Sequence, residues 1–131
     1  MQCPVCKNPM VVLELEKVEI DHCVSCGGIW LDTGELELLL EDSLKKNDLL
    51  ASFVLDTKCG EKSRKCPRCA RKMDKVLCGI DKKALIDKCP HNHGLWFDLG
   101  ELDEIIRMGS FDKDNKVIRL LEDMFGKKNK K

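Results

Sequence analysis

The chain lacks tyrosine altogether, and its two Trp and four Phe bring aromatics to only 5% of 131 residues. A half-chain of about 65 residues with so few large apolar groups is marginal as a free-standing core. No apolar run is long enough to span a bilayer. The opening Met1-Gln2-Cys3 has neither the basic stretch nor the apolar run of a secretory leader, so none is expected. Net charge is also missing: 23 Lys and Arg balance 23 Asp and Glu. With burial and bulk charge both weak, something else must hold the chain together, and its nine Cys are the candidates. An odd count argues against complete disulfide pairing. In the reducing cytoplasm, where the chain is expected, Cys pairs read as metal ligands.

Residues 18–40 read VEIDHCVSCGGIWLDTGELELLL and residues 84–106 read ALIDKCPHNHGLWFDLGELDEII. At an offset of 66, Ile20, Asp21, Cys23, Gly28, Trp30, Asp32, Gly34, Glu35 and Leu36 recur as Ile86, Asp87, Cys89, Gly94, Trp96, Asp98, Gly100, Glu101 and Leu102. The leading pair Cys3-Pro4-Val5-Cys6 recurs at an offset of 63 as Cys66-Pro67-Arg68-Cys69. The chain is therefore a duplication, with three extra residues in the inner loop of the second copy.

Each copy predicts the order knuckle, strand, strand, knuckle, short helix. Met10–Leu15 with Lys17–His22, and Lys72–Leu77 with Ala84–Lys88, suit two-stranded antiparallel ribbons. Asp32 with Glu35, and Asp98 with Glu101, have the spacing of an N-cap and its reciprocal glutamate. Leu36, Leu39 and Leu40, matched by Leu102, Ile105 and Ile106, give each helix an apolar stripe. Between the copies, Asp48–Leu55 reads as a connecting helix and Asp56–Lys65 as a charged linker. Asn115–Phe125 reads as a C-terminal helix before a basic tail. The expected division is 1–42 for the first ribbon and helix, 43–65 for the connection, 66–110 for the second ribbon and helix, and 111–131 for the C-terminal helix and tail. The expected fold class is a small metal-bound α+β chain of two tandem zinc ribbons.

Cys3, Cys6, Cys23 and Cys26 form a C-x2-C pair, a sixteen-residue gap and a second C-x2-C pair. Two such knuckles brought face to face supply four sulfurs to a tetrahedral zinc. In the second copy Cys66, Cys69 and Cys89 are clear, but Asn92 stands where the first copy has Cys26. His93, reached by one residue of slack, is the favoured fourth ligand. His91 through a tighter turn, or an open three-ligand site, are the alternatives. Two structural Zn2+ ions are thus expected, and their thiolate ligands would bring the loaded chain near −3. His22 reads as a surface strand position, Trp30 and Trp96 as packing over their own zinc sites, and Cys59 and Cys78 as ordinary small residues.

The segments CPVC…DHCVSCGGIWLDTGEL and CPRC…DKCPHNHGLWFDLGEL resemble the small bacterial and archaeal zinc ribbons named for their similarity to the transcription factor IIB zinc finger. The W-[LF]-D-x-G-E-L tail is the specific part of that likeness, which covers about residues 1–42 and 66–108. It implies a rubredoxin-like ribbon followed by a short helix, with Cys3, Cys6, Cys23 and Cys26, and Cys66, Cys69 and Cys89, as zinc ligands; the Cys-to-His exchange in the second copy departs from the family pattern at the fourth ligand. A family name says little about the partner. Residues 57–83 hold ten Lys or Arg against three acids. Nucleic acid or a transcription complex is therefore an expected partner, with Lys62, Arg64, Lys65, Arg68, Arg71, Lys72 and Lys75 as candidate nucleic-acid contacts, although the stretch has no aromatic for base stacking. Residues 32–48 carry six acids against two Lys, Leu38 lies off the shared stripe, and Val117, Ile118, Leu121, Met124 and Phe125 give the C-terminal helix a wide apolar face, which suits a protein partner instead. No catalytic constellation is legible, and no enzyme activity is expected.

Overall fold

The computed structural model of the chain describes residues 1–15, 18–40, 46–56, 63–79 and 84–107. Cys59, Lys62 and the expected C-terminal helix and tail lie outside the described residues.

In the first copy β1 (Val11–Leu15) and β2 (Val18–His22) form the expected antiparallel hairpin, with Leu13 opposite Ile20. A third strand, β3 (Ile29–Asp32), follows the second knuckle and pairs with β2. Helix α1 (Glu35–Leu39) comes next, and then α2 (Lys46–Ala51) and the two-residue strand β4 (Val54–Leu55). The second copy repeats the plan with β5 (Asp74–Cys78), β6 (Ala84–Lys88), β7 (Gly94–Phe97) and α3 (Glu101–Arg107).

Strands β3 and β7 correct the sequence reading, which passed from knuckle to helix. They also join the copies. β3 pairs antiparallel with β7, Trp30 opposite Trp96 and Ile29 opposite Phe97. The result is one seven-stranded sheet in the order β1-β2-β3-β7-β6-β5-β4.

Successive residues of a strand face opposite sides of the sheet, and the two sides carry different chemistry. Ile29, Leu31 and Phe97 join Ile20 and Ile86 on one side, where Leu36 and Leu39 of α1 with Leu40 at its end, Leu49 of α2, and Leu102 and Ile105 of α3 cover them. Trp30 and Trp96 face the other side, where they cluster with Met10, Met73, Cys3, Cys23, Cys66 and Cys89. Aliphatic burial fills one layer and the Cys sites fill the other.

The connecting helix ends earlier than its apolar spacing suggests. Ser52 closes it, its N–H and Oγ both donating to the Leu49 carbonyl at 3.1 and 2.6 Å. Val54 and Leu55 then pair as a strand with Leu77 and Val76, which use the β-branched residue better than a helix would. Asp56 N–H donates to the Lys75 carbonyl at 2.8 Å, so the linker begins hydrogen-bonded to the second copy. Cys78 is fully buried beside Leu49 and Ser52, an ordinary core position.

The helix-start motif works differently from a capping box. Glu35 Oε1 does accept the Asp32 N–H at 2.6 Å, and Glu101 Oε1 the Asp98 N–H at 2.8 Å. The Asp carboxylates turn away from the helices and accept the indole N–H of Trp30 and Trp96, at 2.9 and 3.0 Å. Each buried Trp has one polar atom that needs a partner, and the Asp two residues on supplies it. Gly34 and Gly100 turn the chain into the helices at φ of 93° and 85°, a conformation that favours Gly. His22 is buried rather than on the surface, with Nδ1 3.2 Å from the Gly28 carbonyl. In the second copy Lys88 replaces it and is half-buried.

Candidate metal centres

Each of the first three knuckles is a tight turn whose fifth residue has positive φ. Lys7, Gly27 and Ala70 take that conformation, and each donates its N–H to the carbonyl of the Cys four residues earlier, at 2.8–2.9 Å. Amides point at the leading sulfurs: Val5 and Cys6 N–H at 3.3 Å from Cys3 Sγ, and Arg68 N–H at 3.4 Å from Cys66 Sγ. Such contacts stabilise thiolate over thiol. Asn8 Nδ2 donates to Ser25 Oγ at 3.2 Å and ties the two knuckles of the first site together.

The fourth knuckle is shorter. Asn92, not His93, has positive φ (61°), and its N–H reaches the Cys89 carbonyl at 3.1 Å, three residues back. Asn adopts this conformation more readily than most residues. Moving the turn one place forward leaves His93 in line with the site, its Nδ1 3.4 Å from Cys89 Sγ.

Two four-donor groups result. Cys3, Cys6, Cys23 and Cys26 form one, and Cys66, Cys69, Cys89 and His93 the other, with ligand atoms within 4.8 Å of one another. His91 is exposed and belongs to neither group. A tetrahedral zinc with bonds of about 2.3 Å requires sulfurs about 3.8 Å apart. Cys3 Sγ lies 3.7 Å from Cys26 Sγ, and Cys69 Sγ lies 3.7 Å from Cys89 Sγ. Donor type, number and spacing all fit two structural zinc ions.

The free thiols already differ by position. Burial alone would raise Cys23, but the Cys26 and Ser25 amides outweigh it and bring the thiol down to about 7. Burial is likewise outweighed at the equivalent Cys89, where the His93 and His91 amides lower the thiol to about 7. Burial dominates at Cys66, raised to about 11, and at Cys26, raised further. Cys23 therefore gives up its proton more readily than Cys26, and Cys89 more readily than Cys66, and thiolate is the form that binds metal.

The predicted cationic residues divide. Arg68 forms a two-pronged pair with Asp32, Nε–Oδ1 2.5 Å and Nη2–Oδ2 2.7 Å. Lys75 Nζ lies 2.7 Å from Asp87 Oδ1, the two side chains only 9% and 2% exposed. Lys65, Arg71 and Lys72 are exposed and Arg64 is half-buried. The tryptophans are not confined to their own sites. An added Cβ on Gly28 would stand 2.2 Å from Trp96 Cζ2, and one on Gly94 would stand 2.7 Å from Trp30 Cζ2. Each indole lies against the glycine of the other copy.

The geometry separates the ligand from its neighbour in the second site. Cys26→Ala should empty the first site of zinc, whereas Asn92→Ala should keep the second loaded at a backbone cost of about 1 kcal/mol. Zinc-to-protein ratios by elemental analysis would check this; equal zinc loss from both variants would contradict the assignment of His93.

Among the described residues no helix is long and apolar enough to cross a membrane. No curated protein and no solved structure matches the chain. The family model described as transcription factor zinc-finger matches twice, over residues 2–42 and 65–108. With both donor sets inside those two matches, the chain belongs to the transcription factor IIB-type zinc-ribbon family as two tandem copies.

Proposed function

We propose that this is a noncatalytic, cytoplasmic, nucleic-acid-associated binding module that touches phosphate at the leading knuckle of its second copy. One observation carries the reading. The leading knuckle of each copy is closed by an isolated β-bridge, Gln2 opposite Pro9 in the first and Lys65 opposite Lys72 in the second. The first copy closes the same bridge without charge, so the fold does not require the lysines. Like charges directly opposite one another are destabilising, and an anion between them relieves that repulsion. Exposed Arg71 adjoins Lys72, whereas Arg68 and Lys75 are held in ion pairs within the chain. Four-donor metal sites support the noncatalytic part, since a catalytic zinc keeps a position open.

Binding of a labelled oligonucleotide should weaken steeply with salt, and Lys65→Gln with Lys72→Gln should reduce the log–log salt slope by about 2. Zinc content should not change in that double variant. An unchanged slope, measured by fluorescence anisotropy, would refute the assignment.

A protein partner is the second reading, favoured by Leu38. This residue of α1 is 56% exposed, whereas its counterpart in α3 is Glu104. Affinity capture from native lysate, with and without nuclease, separates the two. A stoichiometric protein that survives nuclease and is lost with Leu38→Glu would establish the adaptor.

A further inference from the structure

Zinc sites in independently folded ribbons would bind and release metal without reference to each other. Here each site is walled by the other copy. Trp96 rests against Gly28, two residues beyond Cys26, and Trp30 rests against Gly94, directly after His93. Both indoles are fully buried, in one cluster with Cys3, Cys23, Cys66 and Cys89. A polar chain runs parallel to this packing. Arg68, between the ligands Cys66 and Cys69, grips the Asp32 carboxylate, and Asp32 Oδ1 also accepts the Trp30 indole N–H. Thr33 completes the crossing: its N–H donates to the His93 carbonyl at 3.2 Å, and its hydroxyl to the Asn92 carbonyl.

We infer that the two zinc sites load and empty as one cooperative unit, coupled through the exchanged tryptophans and the Arg68–Asp32–Trp30 chain. Losing the first ion frees the Cys23–Gly28 turn and removes the wall behind Trp96. Trp96 lies opposite Trp30 across the β3–β7 pair, so disorder on one side passes to the support of the other. Losing the second ion frees the knuckle that holds Arg68, and with it the clamp on Asp32. Coupling between sites is reciprocal by thermodynamic necessity. The inference rests on zinc binding by both sites and is independent of what the protein contacts.

Native mass spectrometry of the full chain, equilibrated across a series of zinc buffers, reads the coupling directly. Two equal and independent sites would place about half of all molecules in the one-zinc form at half saturation, and unequal sites would place more. The expected result is a one-zinc form well below that share, with zero- and two-zinc chains dominating. A one-zinc form at or above half would overturn the inference. Arg68→Ala leaves all eight ligands in place and should raise the one-zinc form several-fold. An unchanged distribution in that variant would overturn the route assigned through Arg68.

Discussion

Excess chelator should unfold the sheet itself rather than loosen its rims. The two tryptophans are buried among the metal ligands, and they are the only tryptophans in the chain. Their emission should shift to the red as they reach water, and the β signal in far-ultraviolet circular dichroism should collapse with it. The magnitude follows from two comparisons. A structural zinc site contributes about 10–16 kcal/mol at neutral pH, whereas the whole net stability of a small domain is about 5–15 kcal/mol. Without zinc, the layer between the knuckles contains Met10, Met73, the indoles and eight unsatisfied ligands, too little apolar matter to hold the copies together. Re-adding zinc should restore both signals. A chelated chain that keeps buried indoles and its β signal would show that the helix-side aliphatic layer suffices alone.

Lys75→Met should be the most damaging single substitution of a lysine among the described residues. It leaves the Asp87 carboxylate, 2% exposed, without the ammonium that compensates it, and breaking a buried pair in this way costs about 3–5 kcal/mol. Lys72→Met, at an exposed position of the same copy, should stay within about 0.5 kcal/mol. Changing both partners, Lys75→Met with Asp87→Leu, should recover most of the loss, because a well-packed apolar pair replaces a buried ion pair at little cost. Burial already raises the Asp87 pKa, with Lys75 opposing it. A carboxyl whose folded pKa exceeds its unfolded value binds protons more tightly when folded. The single variant should therefore lose stability relative to the wild type as pH rises through that elevated pKa. Urea denaturation of the zinc-loaded proteins at several pH values would measure both effects. Equal midpoints for Lys75→Met and Lys72→Met would remove the pair from the account of stability.

How much of this was legible in the sequence depends on chain distance. The duplication, seven Cys ligands and both helix stripes rest on local spacing, and all can be read from short windows. The β3–β7 pair joins residues more than sixty positions apart, and no local pattern announces it. Ile29–Asp32 and Gly94–Phe97 are short apolar runs after glycine, a signal that fits a strand but does not name its partner. The recurrence of Gly28 and Gly94 was visible. Its cause, the indole of the opposite copy, was not. Read along the chain, Lys75 is a candidate phosphate contact and Asp87 only a position shared by the two copies. Their register opposite one another in the β5–β6 hairpin changes what Lys75 does. His22 reads as a surface position because its repeat partner is Lys88, yet it is buried where Lys88 is half-buried; similar folds in two copies do not require identical burial.

The pairing of β3 with β7 is the interface of an isologous dimer, drawn within one polypeptide. Trp30 meets Trp96, and the glycine of each half receives the ring of the other, as a self-complementary surface does across a twofold axis. Between identical subunits every substitution appears twice, and an arginine gained on one side is gained on the other. A fused pair is free of that rule. Arg68 reaches Asp32, but its counterpart Val5 carries no charge to offer Asp98. Lys75 neutralises Asp87, but Val12 stands opposite Asp21. One half can keep an all-sulfur metal site and an uncharged bridge at its leading knuckle while the other takes a histidine and a pair of lysines. Tethering thus makes the assembly independent of protein concentration and gives each half its own surface.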